Sequence, residues 1–81
     1  MKEFPKLEGN TVAILRAHKS TGHVLDDTFQ VVMNDTQNVY TTFDSIEEAQ
    51  SVSNKILAEQ IGIEIIIYGP GKQVLHYLRN D

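Results

Sequence analysis

The chain of 81 residues has no cysteine. That excludes a disulfide framework, a thiolate nucleophile and any cysteine-ligated metal centre, and it suits a reducing compartment. No run approaches the roughly 20 apolar residues needed to span a bilayer. The start, Met1 to Lys6, lacks the apolar stretch of a secretory signal. A cytoplasmic protein without membrane attachment is therefore expected, and the sequon Asn34-Asp35-Thr36 is read as chance. Positive charge is also scarce where it would matter for nucleic acid. Residues 20–71 hold one basic side chain, Lys55, against eight acidic ones, and the net charge is −4. An acidic middle between mildly basic ends opposes general attraction to phosphate backbones.

What is present fits a single small globular domain spanning 1–81. Apolar residues make up 41% and charged residues 22%, which is outside the disordered range. A chain this short buries only about 60% of its unfolded surface, so a partner adds much to its stability. Residues 1–10, with Pro5 and Gly9, read as a loose N-terminal arm. Thr11 to His18 mixes β-branched residues with helix formers and reads as a strand, a short helix capped by Asn10 being the rival. Lys19 to Asp27 reads as a polar loop. Thr28 to Asn34 alternates, with Phe29, Val31 and Met33 on one side, and is expected as a half-buried strand. Asp35 to Asn38 forms a turn, and Val39 to Phe43 returns as a strand.

The next segment carries a helix signature. Ser45 and Glu48 form a capping box, with Asp44 and Glu47 offering the same spacing one residue earlier. Ile46, Ala49, Val52, Ser53, Ile56 and Leu57 fall on one stripe, opposite Glu47, Glu48, Ser51, Lys55 and Glu59. Gly62 sits where a left-handed residue would end the helix. Two further strands follow, Ile63 to Tyr68 and Lys72 to Arg79. The order β-β-β-α-β-β with short connections predicts an α+β fold, an antiparallel sheet of four to five strands with one helix packed on one face.

Val31, the turn at Asn34-Asp35, Phe43-Asp44-Ser45, Glu48-Ala49 and the Glu64-to-Tyr68 strand together resemble a family of short, uncharacterised bacterial domains. These share a strand-turn-strand, a Phe-Asp-Ser/Thr…Glu-Ala helix start and a closing hairpin. The resemblance covers about residues 28–77 and implies the fold alone, since the family carries no known activity.

The closing hairpin is apolar on both faces. Alternation sets Ile63, Ile65 and Ile67 on one side and Glu64, Ile66 and Tyr68 on the other. With a loop of two or four residues, Leu75 and Tyr77 join Ile66 and Tyr68 on the outer side. With a loop of three, Gly69-Pro70-Gly71, the outer side receives Val74 and Leu78 instead. Either register leaves four large apolar groups outside, and one helix covers about two strands. Exposed apolar patches of that kind mark interfaces. The expected contact residues are Ile66, Tyr68, Leu75 and Tyr77. A homodimer is the expected assembly, another protein the alternative partner, and residues 1–18 folding across the face the alternative cover.

Other chemistry is weaker. His18, His23, Asp26 and Asp27 lie within ten residues and could serve a divalent metal in a small enzyme, although the spacing matches no ligand pattern. His76 could act as a general base, or be an ordinary packed histidine. Arg16, Lys19, Lys72 and Arg79 could converge on nucleic acid, with Tyr68 or Tyr77 stacking on bases. Lys19-Ser20-Thr21-Gly22 lacks the remainder of a phosphate loop, and Gly69-Pro70-Gly71 is explained as a turn. A non-catalytic interaction module without a cofactor is the expected function.

Overall fold

A computed structural model describes residues 3–79. It is an α+β domain built on one open antiparallel sheet with a single helix. The strands are β1 (Val12–His18), β2 (Val24–Leu25), β3 (Tyr40–Phe43), β4 (Ile63–Tyr68) and β5 (Val74–Arg79), with helix α1 (Ile46–Glu59) between β3 and β4. Their spatial order is β2-β1-β4-β5. Strand β3 lies on the same side of β1 as β2: β2 pairs with Arg16 and Ala17, and β3 with Val12 to Leu15. The sheet is therefore four ribbons wide. The first segment is a strand and sits inside the sheet, its β-branched and aliphatic residues flanked by β4 and by β2 with β3.

The inner face is the isoleucine face. Ile14 pairs with Ile67 and Arg16 with Ile65, and Val12, Ile14, Leu25, Ile63, Ile65 and Ile67 form the buried cluster beneath Ala49 of the helix. The Ser45 hydroxyl accepts the Glu48 amide at 3.1 Å, which selects Ser45 over Asp44 as the cap. The apolar stripe faces the sheet, while Glu47, Glu48, Ser51, Lys55 and Glu59 are exposed. The last helical turn closes on Gln60, and Gly62 then takes φ +81°, a left-handed geometry that glycine adopts at little cost.

Two sequence expectations are corrected. The first is the strand over Thr28 to Asn34. The second strand is instead the two-residue β2, and Val31 makes only an isolated bridge to Leu25. The cause is the Asp26 carboxylate, which draws in the amides of Thr28 and Gln30 at 2.9 and 3.0 Å and bends the chain where alternation implies extension. Phe29 takes φ +67°, a geometry costing about 1–2 kcal/mol in a non-glycine residue, and its ring packs against the cluster. Residues 26–39 thus form a second cover on the inner face, beside the helix.

The second correction concerns the hairpin. Glu64, Ile65, Ile66 and Ile67 pair with Arg79, Leu78, Tyr77 and His76, and then the register shifts so that Tyr68 meets Val74. The turn is Pro70–Lys72, closed by the Gly69 amide on the Gln73 carbonyl at 2.7 Å. The shift is a bulge at Leu75, an extra residue in one strand of the pair. It turns Leu75 inward against the core, where Leu78 also packs. Neither register drawn from alternation holds throughout. The outer face carries Ile66, Tyr68, Val74 and Tyr77, which is still four large groups.

Ser53 is fully buried within α1, and its hydroxyl has no hydrogen-bond partner among the described residues. An unsatisfied buried hydroxyl costs about 1–3 kcal/mol. Ser53→Ala is expected to raise stability by about 1 kcal/mol, read as a higher urea midpoint at unchanged slope. A lower midpoint contradicts the assignment.

Candidate interaction surface

The outer face begins with small residues. Ala13 and Ala17 are buried, Leu15 and Ile66 half-buried, and Val74 and Tyr77 stand 58% and 52% exposed. The N-terminal arm divides this surface. Phe4 sets its ring against Tyr40 and Tyr68 with centroids 5.1 and 5.5 Å away, both edge-to-face. Lys72, at the hairpin tip, reaches over the Phe4 ring at 5.9 Å. Leu7 is buried. The described part of the arm is therefore anchored rather than loose, and burial beneath it raises the Tyr40 hydroxyl above its ordinary pKa. Among the described residues the arm reaches Tyr68, while Val74 and Tyr77 stay exposed on β5, the strand that ends the sheet.

A polar group bounds this open half. The Tyr77 hydroxyl donates to the Glu64 carboxylate, and that bond raises the hydroxyl's pKa, with burial adding to it and Arg79 opposing. Of the four expected contact residues, Ile66, Tyr68 and Tyr77 share the outer face. Tyr68 lies against Phe4, and Leu75 belongs to the core. Val74 takes its place, which only the bulge reveals.

The basic residues are dispersed. Arg16 is 2% exposed on the inner face. Its Nε donates to the Asp26 carbonyl at 3.0 Å, one terminal nitrogen to the Thr41 hydroxyl at 2.8 Å, and the other to the Val39 carbonyl at 3.1 Å. Burial pulls its pKa down, while Asp27 and Asp26 pull it back. Buried to this degree, Arg16 presents no surface to a phosphate. Lys19 lies by Gly62 and Arg79 opposite Glu64, at one end of β4, while Lys72 lies beyond Tyr68 at the other. About 17 Å of strand separates these ends.

The histidines and aspartates divide similarly. His18 ends β1 opposite Ile63, and His23 is exposed in the following turn. Asp26 is 5% exposed, and its carboxylate accepts the Thr28 amide and hydroxyl, the Gln30 amide and the Gln37 side-chain amide. These donors hold its pKa well below the usual carboxylate range. Asp27 accepts a long bond from Asn38. Among the described residues no group of three or more histidine, aspartate or glutamate side chains could hold a metal ion. His76 is packed under the helix, its Nε2 2.9 Å from the Gln50 amide nitrogen. A shallow depression of about 330 Å³ opens between Asn10, Ser45, Glu47, Pro70 and Leu75, but its Ser45 hydroxyl is taken up in capping the helix. Among the described residues no helix is long and apolar enough to cross a membrane.

What the alternation missed is the scaffold of Arg16, Asp26 and Gln37. The signal available was an arginine within an otherwise apolar strand, a residue type rarely buried without partners. No protein-family model, curated protein or solved structure matches the chain.

Arg16→Met should lower stability by about 2–3 kcal/mol, since it removes the guanidinium donors to the Val39 carbonyl and the Thr41 hydroxyl and leaves the Asp26 carbonyl with the Phe29 amide alone. That is a fall of roughly 10 °C or more in a thermal melt, and an unchanged melt contradicts the assigned role. For Asp26 the sign follows from its lowered pKa. The ionised form is favoured by folding, so its stabilisation is complete above the unfolded value near 4 and is lost as pH falls below it. Asp26→Asn should melt below wild type at pH 7, with the gap closing toward pH 2. A gap independent of pH contradicts the assigned role of the charge.

Proposed function

We propose that this protein is a non-catalytic interaction module that self-associates through the open half of its outer sheet face, beside the β5 edge. The observation that carries the reading is the grouping of exposed Val74 and Tyr77 of β5 with half-buried Ile66 of β4 on one face, beside an edge that pairs with no other strand among the described residues. An apolar centre bounded by Tyr77, Glu64 and Arg79 has the composition of a small protein interface, in which polar groups surround a dry middle. A two-fold dimer brings this patch onto itself, the commonest arrangement of soluble oligomers. The low burial available to 81 residues favours the same outcome, because association adds buried surface that the monomer lacks. The cytoplasmic location expected from composition is part of the proposal. The nucleic-acid alternative is weaker: Arg16 is interior, and the Tyr40 and Tyr68 rings are turned toward Phe4 and each other.

Sedimentation over roughly 1–500 μM should show a reversible rise in mass from 9.1 kDa toward twice that value. Ile66→Glu places a charge at the centre of the patch and should remain monomeric throughout while keeping its circular dichroism. Equal masses for the two folded proteins at every concentration contradict the reading.

A further inference from the structure

Met33, on the connection between β2 and β3, is 86% exposed. It carries one of the chain's two sulfur atoms, Met1 the other, and neither cysteine nor tryptophan is present. We propose that Met33 is a site of reversible oxidation, at which a peroxide converts the thioether to a sulfoxide in the folded protein and makes one surface depression more polar. This site is independent of self-association.

The chemistry is a two-electron oxygen transfer. The sulfur lone pair attacks one oxygen of hydrogen peroxide, so that the S–O bond forms as the O–O bond breaks. The second oxygen leaves as water with both protons. Sulfur is oxidised, the peroxide is reduced, and methionine sulfoxide reductases reverse the step.

The backbone at Met33 is held without help from its side chain. The Gln37 side-chain oxygen accepts the amides of Met33 and Asn34 at 2.5 and 3.0 Å. Its nitrogen donates to the Asp26 carboxylate at 2.8 Å and to the Val31 carbonyl at 3.2 Å. One glutamine thereby fixes the path of residues 31–37 and ties it to the buried Asp26. The sulfur meets solvent in this folded arrangement, so the reaction needs no local opening. The polar product also has no core to disrupt, unlike the sulfoxide of a buried methionine.

The surface around it does change. Met33 lines a depression of about 310 Å³ together with Val24, Val31 and Val32. A second depression, of about 250 Å³, shares Val31, Met33 and Asn34 with the first. Met33 belongs to both, and it supplies the one apolar group there that can be made polar by oxidation. The valines keep their character, so a single oxygen atom alters both depressions while the fold stays as it was.

The test treats the full chain with dilute hydrogen peroxide, folded in buffer and unfolded in urea. Cleavage after lysine and arginine isolates residues 20–55, which contain Met33 and not Met1. This peptide should gain one oxygen in the folded protein at a rate within about threefold of the unfolded chain. The peptide from Met33→Leu should gain none. The oxidised protein should melt within about 3 °C of the untreated one, with amide shifts confined to residues 23–25 and 31–37. Treatment with sulfoxide reductases of both stereochemical classes should return the original spectrum. Folded-state protection of tenfold or more, an oxygen gained by the Met33→Leu peptide, or a melt lowered by 10 °C or more would each overturn the proposal. So would shifts that spread through β1 and the helix, or a spectrum that reduction does not restore.

Discussion

The buried guanidinium of Arg16 determines how the two sides of the sheet differ. It stands on β1, the strand that joins the two halves of the sheet, and it binds the carbonyls of Asp26 and Val39 and the hydroxyl of Thr41. These groups belong to the two ends of a long connection and to the strand that follows it. One side chain thereby ties residues 26–39 down over the part of the inner face near β2 and β3. A buried charge of this kind is tolerated only when its donors are satisfied, and three polar acceptors meet it here. Asp26 completes the arrangement from the other side, its carboxylate shaping the same segment through Thr28, Gln30 and Gln37.

With the helix over the isoleucines and this connection beside it, the inner face is closed within one chain. The outer face has no comparable cover. Ala13 and Ala17 are buried there, and the arm brings Phe4 onto the part nearest Tyr40 of β3. Toward β5 the cover ends, and Val74, Ile66 and Tyr77 remain. Val31, Met33 and Ile61 are also exposed; Val31 and Met33 line one depression with Val24 and Val32 on the connection after β2, and Ile61 stands in the turn before β4. What sets the β5 half apart is that its apolar groups share one face of the sheet and adjoin the strand that ends it.

How much was legible in the sequence follows from the range of the interactions concerned. The helix was readable, its start to within one residue, because its cap and its stripe are local: Ser45 and Glu48 are three positions apart, and the packing face repeats at helical spacing. The strands at Thr11 to His18 and Ile63 to Tyr68 were readable from β-branched content. The Thr28 to Asn34 strand was misread because alternation measures side-chain polarity, while the chain there obeys a carboxylate that bonds its backbone. Leu75 was misplaced because a bulge costs no change in composition and reverses two side chains. Arg16 was read as a candidate nucleic-acid contact because its three acceptors lie 10 to 25 positions away, a distance over which pattern carries no information.

The most direct measurement is the dilution of isotopically labelled protein from about 1 mM to about 20 μM while backbone and methyl signals are followed. Self-association through the open half of the outer face requires concentration-dependent shifts at Ile66, Val74 and Tyr77, with the signals of Met33 and Ile61 unmoved. Signals that do not move at any residue, or shifts centred on Met33, Ile61 or the exposed side of the helix, would contradict it.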